Sequence, residues 1–327
     1  MQMLISNKQE LRKCLKQLIR HLPAMDIDLH YNPLSEEIGI RAVMNEIPGG
    51  AAVLNGVNSK TPLTMQVVAA LSIFAEMDLS IDDLQSAVIS QEEYSSEAWV
   101  RELLDRTPFQ KMLVRISDEK ALSTFTQEDR FTFLIEACSD TVEIGRFGPL
   151  YERKANDLKI LMNSCQTNHL TAKQYNKEFY KYCLMPLCED NAFILHAFLP
   201  DYTSIQDFMN NVAFFPRLSC IVRTSSELEP TLIKQVSGIE RVRLAIEDPD
   251  HYSIALSHLG LNFLPFSSHQ ERIELACGKW LVYREKLLEA LQNSYLSLCR
   301  SGYELTSEQL EADLRQLFYY NERNDNL

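Results

Sequence analysis

Helix-opening signals recur along this chain more often than any other local pattern, and they set its expected architecture. In a capping box, a Ser or Thr side chain accepts from the N–H three residues on, and a Glu or Gln there reaches back. Ser6 with Gln9, Thr171 with Gln174, Ser267 with Gln270 and Thr306 with Gln309 fit that spacing. Ser80 with Asp83 and Thr126 with Asp129 are shorter versions. Thr61-Pro62 and Thr107-Pro108 put a capping residue ahead of a proline at the first helical position, where no N–H is missed. Glycine is scarce, 10 in 327 residues, whereas strand-rich folds use it in their turns.

Apolar stripes follow these signals. Leu11, Cys14, Leu15, Leu18 and Leu22 form one, ended by Pro23, and Ile38, Val43, Met44 and Ile47 another, ended by Pro48-Gly49-Gly50. The run from Leu63 to Met77 is apolar on nearly every face and predicts a buried helix. Phe131, Leu134, Ile135 and Cys138 read as a helix, as do Leu158, Leu161, Met162 and Cys165. Tyr175, Phe179, Tyr182 and Cys183 follow, then the run Phe193 to Phe198. From His269 to Arg300 the periodicity predicts about 45 Å of helix, with Gly278 as a point for a bend and Gly302 beyond its end. Leu310 to Phe318 makes a last amphipathic helix.

Strand candidates are few. Leu218 to Val222 has the composition of one, and Ala51 to Val57, between Gly49-Gly50 and Asn58, reads better as a loop. The expected fold class is therefore all-α, a multi-helix globular or irregular helical array of roughly a dozen helices. Strand content would be minor at most. The loop Ser139 to Pro149 suggests an N-terminal helical region 1–145 and a C-terminal one 146–327, with a single continuous domain as the alternative; a second break falls around Thr224 to Pro230.

The chain carries 45 acidic and 32 basic residues, a net charge of −13. That excess opposes a polyanion, so nucleic-acid binding is not expected. Arg12, Lys13, Lys16 and Arg20 on the first helix read as a solvated surface. The Asn7 to Leu22 segment has polar residues at every turn, and membrane insertion is not expected. The eight cysteines (Cys14, Cys138, Cys165, Cys183, Cys188, Cys220, Cys277 and Cys299) lack a disulfide-framework spacing and suit a reducing, cytoplasmic setting.

Candidate sites are weak at this level. Cys165, His169, Cys183 and Cys188 have the residue types of a zinc site, but Pro186 interrupts the last pair and the thiols fit core positions. No metal or cofactor is expected. Cys277 could act as a nucleophile, with Lys279 lowering its pKa and His251, His258 or His269 as base, yet it falls on the apolar stripe of the long helix. The acidic pairs Glu36-Glu37, Asp82-Asp83, Glu92-Glu93, Glu189-Asp190 and Asp248-Pro249-Asp250 sit where helices start, a placement that suits the helix dipole. Catalytic residues stay unassigned, since no phosphate-binding, zinc-protease or nucleophile-elbow motif is present.

Two segments carry a local likeness. Lys60-Thr61-Pro62-Leu63 is similar to the helix opening of ankyrin repeats, and Thr107-Pro108-Phe109 is a looser version, but their separation exceeds a repeat and they read as ordinary helix starts. Glu304, Glu308 and Glu311 resemble the glutamate-rich export signals of bacterial translocated effectors, which would imply action in a host cytosol. The resulting expectation is an interaction or adaptor protein, an effector or regulator that presents helix faces or a groove to a protein partner. The alternative is an enzyme, thiol- or carboxylate-based, whose site is assembled from distant helices.

Overall fold

The computed structural model describes residues 5, 7–29, 43–45, 47–50, 65–76, 96–116, 130–137, 158–172, 187, 193–212, 218–270 and 272–318. Short apolar runs in this chain pair into one parallel sheet in the order β1-β2-β3-β4-β5-β6-β7-β8. The strands are β1 (Ala24–Leu29), β2 (Phe109–Ile116), β3 (Phe131–Ala137), β4 (His169–Ala172), β5 (Ile194–Leu199), β6 (Ser219–Thr224), β7 (Val242–Ala245) and β8 (Phe263–Leu264). The helices with defined bounds among the described residues are α1 (Lys8–His21), α2 (Met65–Glu76), α3 (Ser96–Asp105), α4 (Tyr202–Val212), α5 (Glu229–Val236), α6 (Tyr252–Leu259), α7 (Ile273–Arg300) and α8 (Ser307–Phe318), and residues 158–164 are helical as well. Strand-to-strand connections must cross over in a parallel sheet, and from β5 onward a helix makes each crossing.

Alternation along the strands sorts the side chains into two cores. Met25, Leu113, Leu134, Ile194, Ile221, Ala245 and Leu264, one from every strand except β4, form a cluster of their own inside the curled sheet. Their sequence neighbours, such as Met112, Ile135, Leu195, Val222 and Leu244, join the larger core under the helices. The first and last strands come together where Asp26 Oδ1 on β1 accepts from Ser268 N just past β8, at 2.9 Å. At the N-terminal opening, buried Arg243 donates through one Nη to Phe263 O and Gln316 O, at 2.9 and 3.2 Å, tying the end of α8 to the sheet. The fold is a (β/α) barrel.

The all-α expectation is therefore corrected. Phe131 to Ala137 and Ile194 to Leu199, read above as helical, are central strands β3 and β5. A parallel strand covered on both faces is apolar almost throughout, so its spacing satisfies a helical stripe as well as an alternating one. Thr107-Pro108 does not open a helix: Thr107 Oγ1 donates to Leu103 O and Leu104 O, closing α3, and the chain enters β2. Thr171 lies in β4, and α7 is capped at Arg272 rather than Ser267.

Other expectations match. The stripe of α1 is helical as expected, but its cap is Asn7 and not Ser6: Asn7 Oδ1 accepts from Gln9 N and Glu10 N. Thr306 and Gln309 exchange both bonds of a capping box ahead of α8. Leu218 to Val222 lies at the start of strand β6. Arg12, Lys13, Lys16 and Arg20 are exposed on α1. The long helix α7 packs against α1, α2, α3 and α6, with Trp280, Leu287, Leu288 and Leu291 buried while Leu298 stands exposed. Its stripe is core, not a free docking face. Thr61, Ser80, Thr126, the Ala51 to Val57 segment and the Tyr175 to Cys183 stripe lie outside the described residues. Among the described residues no helix is long and apolar enough to cross a membrane.

Candidate functional site

The C-terminal ends of β6, β7 and β8 bring together Arg223 from strand β6 with Glu247 and His269 from the loops after β7 and β8. On β6, Cys220 and Val222 face the outer core and Ile221 the interior, so alternation turns Arg223 inward. Its Nη1 donates to Glu247 Oε1 at 3.1 Å and to His269 Nδ1 at 2.7 Å. The guanidinium also lies over the Phe198 ring, 5.2 Å from its centroid. A guanidinium has donors only, so Nδ1 of His269 must offer a lone pair and the ring is neutral, with its proton on Nε2. His269 holds φ +46, a left-handed conformation uncommon outside glycine and one that tends to cluster at functional sites.

Glu247 stands two residues beyond β7 and is held from both sides. Its backbone N–H donates to Glu229 Oε1 at 2.5 Å, and its carbonyl accepts from Tyr283 Oη at 2.7 Å. Burial pushes the Tyr283 hydroxyl above its ordinary range, so it remains a donor. Glu229, wholly buried at the start of α5, also accepts from Asp248 N at 3.3 Å and faces His251 Nδ1 at 2.7 Å. Asp248 in turn caps Asp250 N, and Lys286 pairs with Asp250 at 3.0 Å, the structural use expected for that acidic pair. The other acidic pairs lie outside the described residues.

Burial raises the Glu229 carboxyl from 4.5 to about 7, against hydrogen bonds from His251 and two backbone N–H groups that favour the charged form. The folded protein then binds this proton more tightly than the unfolded chain does. The stability that follows is fully present below about pH 4.5 and is lost as pH rises through about 7. Glu229→Gln should remove that slope. Thermal melts across pH 4–8 are expected to show the wild type losing stability relative to the variant as pH rises; parallel curves would mean that the hydrogen bonds keep Glu229 ionised throughout.

The sequence-derived candidates are placed differently. Cys165 packs in the outer core, whereas His169 lies inside the barrel against His196, so the zinc-like set is not assembled by these two. Cys183 and Cys188 lie outside the described residues. Cys277 is buried, its Sγ 3.9 Å from Thr107 Oγ1, and burial holds its thiol far above the usual range, which removes it as a nucleophile. Of its proposed bases, His251 serves Glu229, His269 meets Arg223, and His258 is exposed on α6. Sequence reasoning missed Arg223, Glu247, Glu229 and Tyr283. The signal available was a charged residue at the end of a short apolar run followed by turn residues, as in Ile221-Val222-Arg223-Thr224 and Ala245-Ile246-Glu247-Asp248-Pro249. Among the described residues no group of three or more His, Cys, Asp or Glu side chains is arranged to hold a metal ion.

Polar groups gathered at the C-terminal ends of parallel barrel strands are the arrangement of a barrel protein with its site in the strand-to-helix loops. Similar structures share this fold over the whole chain. A uronate isomerase from Bacillus halodurans superposes with a TM-score of 0.79 at 13% identity, covering 98% of this chain and 96% of that one. A glucuronate isomerase from Caulobacter crescentus gives 0.64 at 7% identity, with 99% and 97% covered. A uronate isomerase from Thermotoga maritima gives 0.59 at 9% identity, with 98% and 99% covered. No protein-family model matches the chain, and no curated protein does. The adaptor and effector expectation is corrected by these findings: the chain shares its fold with solved sugar-acid isomerases, and the long helix that would have docked a partner packs against α1, α2, α3 and α6.

Proposed function

We propose that the protein is an enzyme that interconverts the aldehyde and ketone forms of a small sugar acid of the uronate class. The observation that carries this reading is the Arg223–Glu247–His269 cluster at the C-terminal strand ends. The full-length likeness to three uronate isomerases supports it. In such a reaction the proton on C2 leaves and returns to C1, while the C2 hydroxyl proton passes to the C1 oxygen; no oxidant enters. A carboxylate can carry the carbon-bound proton between the two atoms, which is the role assigned to Glu247. His269, neutral with its proton on Nε2, donates to the substrate carbonyl, and Arg223 offsets the negative charge that grows on the enediolate. A chain of net charge −13 repels an anionic sugar at long range, so a local cation is needed to hold one. The described cysteines Cys14, Cys165, Cys220, Cys277 and Cys299 are free thiols, which suits a cytoplasmic setting.

The test is incubation with D-glucuronate and D-galacturonate, followed by proton NMR. Appearance of the corresponding keto acid supports the reading. No conversion of either sugar at high protein concentration, together with no shift in melting temperature on adding them, overturns it.

A further inference from the structure

After the bond from Ile246 N to Leu264 O, the chain leaves the sheet at Glu247. From Glu247 to His251 four backbone N–H groups need partners, since Pro249 has none to offer. Asp250 N donates to Asp248 Oδ1 and His251 N to Asp248 O, both at 3.0 Å, so two are satisfied within the loop. The other two, Glu247 N and Asp248 N, both end on the Glu229 carboxylate, at 2.5 and 3.3 Å. The same group faces His251 Nδ1 at 2.7 Å. One buried side chain from the segment after β6 thus carries the segment after β7, while Tyr283 of α7 holds the Glu247 carbonyl from the other side.

A buried carboxylate is a destabilising choice for a mere loop tie, which a neutral amide could also make. What the charge adds is strength, because N–H bonds to an ionised oxygen are shorter and about twice as strong as neutral ones. The 2.5 Å bond from Glu247 N is of that kind. Ionised, Glu229 offers lone pairs on both oxygens; the neutral acid must place a proton on Oε2, towards His251 Nδ1. The partly exposed His251 ring links the pair to solvent.

We propose that Glu229 is a positioning residue: its carboxylate fixes the Glu247 peptide and through it sets the Glu247 side chain against Arg223. The catalytic consequence rests on the uronate reading, whereas the clamp does not. Burial raises Glu229 to about 7, so the clamp is at full strength above that pH and slackens as the pair takes up a proton below it. The titratable groups around Glu229 are Glu247, Asp248 and His251 of the loop, Tyr252 of α6 and Tyr283 of α7. Burial pushes both tyrosines up, and they stay neutral.

Full-length protein labelled with nitrogen-15 at glutamate gives the first readout, the Glu247 amide, assigned by its loss in Glu247→Gln. Well above pH 7 its proton is expected far downfield, as a short bond to a charged acceptor requires, and it should move upfield as pH falls through about 7. In Glu229→Gln it should stand at the low-pH position throughout. Kinetics on a uronate give the second readout. Glu229→Gln should lower kcat by about 10–100-fold with KM nearly unchanged, the scale of a misplaced reacting group. In the Glu247→Gln background the same change should cost less than about twofold, because its target is already gone. Lys286→Ala, which cuts the exposed tie from α7 to Asp250, should leave kcat unchanged. A Glu247 amide at an ordinary position in the wild type above pH 7, or one unmoved in Glu229→Gln, overturns the clamp. Losses that add in the double variant, or an equal loss in Lys286→Ala, overturn the positioning role. If Glu229→Gln does not fold, the wild-type amide decides. The amide needs no substrate, so a downfield amide in a protein inert towards uronates defeats the uronate reading alone.

Discussion

Glu247→Gln is expected to lower kcat on a uronate by about 10²–10⁴-fold, the usual contribution of a positioned proton-transfer group. The substitution keeps the side-chain length and an oxygen for Arg223 Nη1, now 3.1 Å from Glu247 Oε1, but removes the ability to accept and return a proton. The backbone anchors from Glu229 and Tyr283 do not involve the Glu247 side chain, so the loop should keep its place. KM should therefore change far less than kcat, and the melting temperature should shift little, since the Glu247 side chain is 22% exposed. Steady-state kinetics and a melt on the same sample check both halves. A variant with near-normal kcat would remove Glu247 from the chemistry, whereas a large melting shift would show that its charge matters chiefly to stability.

The second large effect concerns Gly278, where α7 crosses α2. A Cβ built on Gly278 would lie 2.0 Å from Ala69 O and 2.5 Å from Ala69 C, both backbone atoms that cannot rotate away. In an open helix Gly→Ala would stabilise by about 1 kcal/mol. Here the two helices must separate, and overpacking of a core costs about 1–3 kcal/mol, more where backbone blocks relief. Gly278→Ala is therefore expected to destabilise by about 3 kcal/mol, a large part of a domain's usual 5–15 kcal/mol or so. Denaturant unfolding gives the sign directly, and a stabilised variant would defeat the close-approach account. The residue that looked like a place for α7 to bend is a contact point.

Elements whose pattern is long were legible in the residues. The stripe of α1, the extended periodicity of α7 and the Thr306–Gln309 box of α8 each exceed what a strand could imitate. Short buried runs were not legible in the same way. Phe131 to Ala137 and Ile194 to Leu199 are apolar on both faces because helices cover one side of the sheet and the barrel interior fills the other. A period of two disappears when every position is buried. The alternation of short apolar runs with helical ones from β5 to α7 was the remaining clue to a parallel sheet.

The site was less legible still. Arg223 lies in strand β6, and Glu247 and His269 in the loops after β7 and β8; nothing in their spacing along the chain brings them together. The sequence by itself determined the long helices, the Thr306–Gln309 cap of α8, the acidic surface charge and the amount of apolar material, since those depend on residues near one another in the chain. Only the tertiary structure decided that the short apolar runs pair as parallel strands, and that the polar residues at their ends converge. The reason is that strand pairing places residues far apart in sequence 3.1 and 2.7 Å from one another, a relation carried by register and closure rather than by local pattern.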